Sequence, residues 1–407
     1  MTLTSNWLTL GQGFVLALSY LGLALGYVPG LRMNRATIAL VSAALLVALG
    51  TLSLEAAWAA IDANTIVFLL SMMVVNAYLS YAGFFALALV QLLRLTRSPL
   101  GLLVLLTLGT GALSAVFLND TLALVSTPLT LQLTRALKLN PVPYLLAIAG
   151  ATNTGSLATL SGNPQNILVG SFSDIGYLAF AQALLPIAVV GLALQIGLLW
   201  LIYPEVRSLA PCPPPVLPRL RLHRPLLVKT TLVSALLLTA FIVGLPLAES
   251  AFLAAAALLI TRRIKPERVL GAVDWSLLVM FSGLFILTEA VRSLQVLDAV
   301  APWVAHPAGL LLVTAGLSNL ISNVPAVLLI QGLITPEDTQ SWLLLAAGST
   351  LAGNLTLFGS VANLITVEAA AAAGYPVTFW QHLRFGLPLT LLTLALTYVW
   401  VVLGIGR

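Results

Sequence analysis

The sequence predicts an all-α polytopic membrane protein built from two inverted repeats, each with a re-entrant helical hairpin and a broken transmembrane helix. Three observations predict it. Of the 407 residues, 60% are apolar and 8% charged, roughly a third of the charge with which a soluble domain covers its outside. Apolar runs of the length that crosses a hydrocarbon core, about 20 residues, recur from one end of the chain to the other. Three polar signatures occur twice, in the same order. This composition excludes a long soluble enzyme and a nucleic-acid binder. The formal charge of +5 is the excess that a membrane protein places on its cytoplasmic loops.

In chain order the apolar segments are 13–28, 38–52, 65–92, 100–117 and 122–136, then 144–172, 176–203, 226–245, 248–260 and 275–294. The last four are 308–320, 326–334, 343–373 and 379–405. Together they make about 10 spans plus 2 hairpins. The first run has no basic residue before it and no clear small-residue cleavage motif, so it reads as a first span and not as a signal peptide. Cys212 is the one cysteine, which allows neither an intrachain disulfide nor a thiolate metal cluster.

Basic residues orient the spans. They gather at Arg32 and Arg35, Arg94 and Arg97, Arg135 and Lys138, Arg207 to Lys229, and Arg262, Arg263, Lys265 and Arg268. The intervening loops carry Glu55, Asp62, Asp174, Glu249, Glu337 and Asp338 with few basic residues. The positive-inside rule makes the first set cytoplasmic and the second external, as in a multi-pass protein of the cytoplasmic (inner) membrane. The Pro- and Arg-rich segment 204–225 is then a cytoplasmic linker between a first repeat, 1–203, and a second, 226–407.

The repeats share three signatures. Ala60-Ile61-Asp62 returns as Ala272-Val273-Asp274, and Gly111-Ala112-Leu113-Ser114 as Ala315-Gly316-Leu317-Ser318. Gly162 to Asn166, leading into Ile167-Leu168, returns as Gly359 to Asn363, leading into Leu364-Ile365. Their sidedness is opposite, since Asp62 falls outside and Asp274 inside. Inverted repeats are the architecture of alternating-access carriers, which hold substrate near mid-membrane between the repeats.

Two polar tips interrupt apolar runs. Segment 326–334 reaches only about 13 Å at 1.5 Å per residue and cannot cross about 30 Å of hydrocarbon. Segment 308–334 is therefore expected to enter from outside and turn back at Ser322-Asn323-Val324-Pro325. By symmetry 100–136 is the matching hairpin, with its tip at Asn119-Asp120-Thr121. Backbone turns at membrane depth occur only where they line a cavity or are buried in protein. Asp120 is the one carboxylate in either tip, and an acid there is suited to exchange protons or bind Na⁺. The alternative role is a helix cap toward Ala123 or Leu124.

The broken helices are 144–172 and 343–373. The first holds Ala151-Thr152-Asn153-Thr154-Gly155-Ser156 and Ser161-Gly162-Asn163-Pro164-Gln165-Asn166; the second holds Ser349, Thr350, Gly353, Asn354, Thr356, Gly359, Ser360 and Asn363. Pro164 lacks an N–H and disfavours helix at Asn163, so the helix must break there. Opposed half-helix ends are expected to meet the tips in a polar pocket, although small residues also serve close packing of membrane helices. Other polar residues read more simply. Glu289 and Arg292 pair one turn apart, Asp62 and Asp274 cap helices, Glu368 is a relay or a solvated end, and His306 and His382 lie near loops. No phosphate-binding loop, Ser/His/Asp set or paired-metal arrangement is present, so the chain itself is neither an ATPase nor another enzyme.

The run from Ala115 to Leu124, through Asn119-Asp120-Thr121 and on to Thr127-Pro128, resembles the hairpin motif of arsenite permeases. Gly162-Asn163-Pro164-Gln165-Asn166, Ser322-Asn323-Val324-Pro325-Ala326 and Gly359 to Ile365 are similar to further motifs of that group. The wider set is the ion transporter superfamily, which joins arsenite permeases, NhaD-type Na⁺/H⁺ antiporters and divalent anion/Na⁺ symporters. The likeness runs from Glu55 to Leu403. It implies a homodimer that moves substrate by an elevator motion, with hairpins and unwound helices in a transport domain. A separate ATPase subunit is among the partners it admits. Neither tip keeps the Ser-Asn-Thr triplet of the Na⁺/dicarboxylate branch, which counts against dicarboxylate uptake.

The expected function is secondary active transport, namely proton-coupled export of arsenite or antimonite. No Lys or Arg lies in the pocket segments, so a neutral hydroxide bound by Asn, Ser and Thr suits them better than a multivalent anion. The alternatives are a Na⁺-coupled anion (carboxylate) symporter and a Na⁺/H⁺ antiporter; a channel and an intramembrane enzyme stand further off. The expected binding residues are Asn119, Asp120, Thr121, Asn153, Ser161, Gly162, Asn163, Asn166, Ser322, Asn323, Asn354, Gly359, Ser360 and Asn363. Asp120 is the proton-coupling candidate, and Asn119, Asp120 and Asn323 are the candidates for Na⁺. No cofactor is expected beyond a coupling H⁺ or Na⁺. The expected partners are the lipid bilayer and a small anion or metalloid hydroxide, with no nucleic acid.

Overall fold

A computed structural model describes residues 2–96, 98–210, 222–261 and 263–404. Arg97, Cys212, Arg262 and half of the proposed 204–225 linker lie outside them. The described chain is helical, without a strand.

The first half runs α1 (Thr2–Leu25), α2 (Arg35–Ala48), α3 (Leu54–Ala59), α4 (Ala63–Ala82) and α5 (Phe84–Leu93). It continues with α6 (Pro99–Val116), α7 (Asn119–Ala136), α8 (Val142–Ser156), α9 (Pro164–Phe172) and α10 (Tyr177–Ile202). The second half runs α11 (Arg224–Val243), α12 (Leu247–Leu259), α13 (Pro266–Leu270), α14 (Trp275–Ser293) and α15 (Ala301–Val304). It closes with α16 (Pro307–Ile321), α17 (Asn323–Gln331), α18 (Thr339–Ala352), α19 (Val361–Ala372) and α20 (Phe379–Val402). The second series repeats the first, element for element. Helices α4, α6, α10, α11, α14 and α20 are long and apolar enough to cross a membrane.

Packing follows the same repeat. Helix α2 lies against α14 and α4 against α12, so equivalent helices exchange partners across the two halves. Likewise α6 packs on α8 as α16 does on α18, and α7 on α19 as α17 does on α9. Both arms of the first hairpin return to one side: Leu100 N donates to Ser208 O at 3.3 Å beyond α10, and the Arg135 guanidinium donates to Ala373 O beyond α19. Counting the hairpin as no crossing, the first half crosses through α1, α2, α4, α8–α9 and α10. An odd number of crossings starts the second half from the opposite face, which is what inverts it.

Local chemistry sets the helix ends. Asp62 accepts from Thr65 N at 2.6 Å and Asp274 from Leu277 N at 2.9 Å, so both are caps. Ser98 accepts from Gly101 N at 3.1 Å with Pro99 in the first turn, the preferred start for a helix with four orphan N–H groups. Segment 65–92 is two helices and not one span. Gly83 adopts φ +82° between α4 and α5, a left-handed turn that costs glycine least. Helices α6 and α8 cross at Gly155, where an added Cβ would stand 2.2 Å from Gly111 O. Helix α8 is buried from Pro143 to Ser156 and α18 from Trp342 to Ala352, which puts both breaks at the centre of the molecule.

Candidate functional site

Each broken helix is closed by one asparagine. Helix α8 stops at Ser156 and α9 restarts at Pro164. Asn163 is extended (φ −154°), as a residue before proline prefers, and its side chain caps Asn166 N at 2.8 Å. Asn166 Nδ2 donates back to Ser156 O at 3.0 Å and Thr159 O at 2.9 Å. In the second half Asn363 Nδ2 donates to Gly353 O at 2.8 Å and Thr356 O at 3.1 Å, and Ser360 caps Ala362 N at 3.2 Å. The same carbonyls freed by each break are thus taken by the same side chain at the same spacing.

The two breaks also bind each other reciprocally. Asn163 Nδ2 donates to Thr350 Oγ1 at 3.2 Å, and Thr350 Oγ1 donates to Asn166 Oδ1 at 3.3 Å. Across the pseudo-twofold, Ser360 Oγ donates to Asn153 Oδ1 at 2.8 Å and Asn153 Nδ2 to Asn363 Oδ1 at 3.1 Å. Asn153 Nδ2 also reaches Asn354 Oδ1 at 3.1 Å, whose own amide donates to Thr154 Oγ1 at 3.0 Å. The hairpin tips close this cluster from either side. Asn119 N donates to Gly162 O at 3.1 Å and its Nδ2 to Asn153 Oδ1 at 3.4 Å. Asn323, its amide nitrogen turned toward the breaks, donates to Gly359 O at 3.2 Å and Ser349 O at 3.1 Å. Gly162 has no room for a side chain, because a Cβ would meet Ser156 O at 2.3 Å.

The cluster therefore joins Asn119, Asn153, Asn163, Asn166, Asn323, Asn354, Ser360 and Asn363 with the carbonyls of Gly162 and Gly359. Ser161 stands at its edge, bonded to Tyr177 Oη at 3.0 Å and Val116 O at 3.2 Å. Ser322 turns the second tip with φ +85° and ψ 159°, a region nearly restricted to glycine and costly elsewhere. Each side chain of this cluster is hydrogen-bonded to another part of it, and a solute entering it would replace bonds already made.

Asp120 and Thr121 face elsewhere. They line a separate cavity of about 160 Å³ between α4, the first hairpin tip, the start of α9 and the start of α14. Asn119 and Asn323 turn to the breaks while Asp120 turns to this cavity, so the three residues expected to share a Na⁺ ion are divided between two places. Asp120 does not cap α7, whose start carries no side-chain cap. Across the cavity stands Asp274, exposed and next to the basic stretch that ends at Arg268. At its floor is Asn76, 2% exposed, with neither Oδ1 nor Nδ2 hydrogen-bonded.

Sequence reasoning missed Asn76, because it sits in α4 with no helix breaker to mark it. It also placed His382 near a loop without a role. His382 is 1% exposed in α20, with Nε2 3.0 Å from Asn354 O at the second break. Gly386, one turn on, lets α20 come this close, since a Cβ there would meet the same carbonyl at 2.1 Å. The Glu289–Arg292 pair forms at 3.4 Å, and Glu368 is exposed.

Residues 20–352 match the family model described as citrate transporter. The chain is 32% identical to the silicon efflux transporter LSI3 of Oryza sativa subsp. japonica, over 91% of this chain and 92% of that one. It is 29% identical to the inner membrane protein YbiR of Escherichia coli (strain K12), over 85% and 89% of the two chains. Among solved structures, the YdaH transporter of Alcanivorax borkumensis, described as having an unusual topology, superposes with a TM-score of 0.56 at 17% identity. The superposition covers 99% of this chain and 97% of that one.

Proposed function

The chain belongs to the citrate transporter family and is a secondary transporter of the ion transporter superfamily, not an enzyme; within that class we propose that it is a proton-coupled exporter of a small neutral hydroxide of the arsenite or antimonite kind. One observation carries the substrate class. The cavity at the first hairpin tip holds two carboxylates on a largely apolar wall, and its described lining has no Lys, Arg or His. A citrate-like polyanion would meet like charge there, at a cost of several kcal/mol. Arsenite and antimonite are neutral trihydroxides near pH 7, and silicon, which names one relative's cargo, dissolves as a neutral hydroxide too.

Asp120 is the proposed proton carrier, since an acid at membrane depth is costly to keep without a function. The hairpins and broken helices, joined by the amide network, would move as one body against α2, α4, α12 and α14. This elevator motion, a homodimeric state and an inner-membrane location form part of the proposal.

Proteoliposome flux tests it. Arsenite uptake should follow an imposed pH gradient and ignore a Na⁺ gradient, and Asp120→Asn should abolish the pH-driven component. Flux of citrate, the solute the family's description names, driven by Na⁺ would replace this reading with anion symport.

A further inference from the structure

Among the described residues Asn76, which lines the Asp120 cavity, is the one that buries two side-chain polar atoms without a hydrogen bond. The amides of the cluster at the breaks each have a partner, whereas Asn76 is buried with both an acceptor and a donor unpaired. An unmet buried polar atom costs about 1–3 kcal/mol, and Asn76 carries two. The groups around it restrict what can meet that need. Asp120 and Asp274 present carboxylates, and Ser80 and Thr121 present hydroxyls. A bare cation would satisfy the carboxylates and Asn76 Oδ1 but leave Asn76 Nδ2 without an acceptor. An anion would satisfy Nδ2 and oppose both acids. A neutral solute with several O–H groups does both jobs, donating to the carboxylates and to Oδ1 while accepting from Nδ2.

Size and position agree. A solute with a central atom and three hydroxyls fills about the space of three waters, roughly 90 Å³, within a cavity of about 160 Å³. Asp274 is exposed at the mouth, a few residues from Lys265 and Arg268, which mark the cytoplasmic side. Tyr81 Oη, at the end of α4, donates to Arg268 O at 3.0 Å and holds that stretch over the same end. An exporter must load its cargo from this side.

We infer that this cavity is the cytoplasmic loading site for a neutral inorganic hydroxide, with Asn76 at its floor and Asp274 at its mouth as specificity-determining residues. The inference rests on the exporter reading and assigns its substrate a place outside the amide cluster. Asn76 supplies the two-way contact that separates a hydroxide from an ion. Asp274 keeps one oxygen on Leu277 N and offers the other to the solute.

Equilibrium titration of the purified full chain with arsenite, and separately with silicic acid, tests it. Wild-type protein should bind at least one of them. Asn76→Leu should weaken that binding by about tenfold or more while its melting temperature stays level or rises, because the substitution removes two unmet polar atoms. Asp274→Asn keeps a capping side chain and should weaken binding by a similar factor, which provides a second variant should Asn76→Leu fold poorly. Wild-type affinity in both variants overturns the loading site. Should proteoliposome flux of arsenite persist in that case, the exporter reading survives alone. Absence of binding by wild type, or displacement of bound arsenite by Na⁺ in proportion to its charge, also overturns the site.

Discussion

Asn166 and Asn363 show how little chemistry is needed to hold a membrane helix open. Each spends one amide nitrogen on the two carbonyls that its break exposes. Replacing either by alanine should cost about 2–3 kcal/mol, and the two losses should agree within about 1 kcal/mol, the spread expected of similar contexts. Unfolding in detergent micelles measures both, and a strongly unequal pair would contradict the symmetry of the network. Ser322 gives a test of opposite sign. Its φ of +85° suits glycine, so Ser322→Gly should raise the melting temperature through about 1 kcal/mol of relieved strain; a fall would show that its hydroxyl matters more than its backbone. The asparagines of the breaks are legible in the sequence because each is a polar residue within four positions of a Gly or Pro in an apolar run. Asn76 is not, since nothing local distinguishes a helix that buries an amide from one that merely contains it. In the sequence Thr350 is only one member of a polar run, and its reciprocal role with Asn163 depends on a contact between distant segments.

At the scale of elements, the breaks and hairpins answer to glycine and proline. The start of α9 at Pro164 follows from the ring and from the extended Asn163, and this much was readable in advance. The turn at Gly83 was not, because apolar residues continue on both sides of it and hydropathy alone reports one long segment. Close crossing of α6 and α8 depends on the bare Cα of Gly155, so Gly155→Ala should cost about 3 kcal/mol by overpacking against backbone. Gly316 in α16 has open space around it, and Gly316→Ala should be neutral or stabilise by up to about 1 kcal/mol through helix propensity. Thermal unfolding of the pair separates packing from propensity. If both substitutions were equally harmless, the α6–α8 contact would be looser than described.

For the whole molecule, the repeat was legible from three short signatures, but the exchange of partners between α2, α4, α12 and α14 was not. Lipid-facing and protein-facing sides of an apolar helix carry the same residue types, so composition does not say which helix meets which. In the elevator motion proposed above, that exchange would divide the chain into two bodies. One contains the hairpins and the breaks, bound together by the amide network; the other contains α2, α4, α12 and α14. The Asp120 cavity lies on the seam, with Ser80 on one body and Thr121 on the other. In the proposed mechanism, transport moves one body past the other along this seam. In a Cys212→Ser background, Ser80→Cys and Thr121→Cys can be joined by a short, reducible bifunctional thiol reagent, and arsenite flux measured in proteoliposomes before bridging, after bridging and after reduction. Flux should stop on bridging and return on reduction; flux unchanged by a complete bridge would rule out movement along the seam.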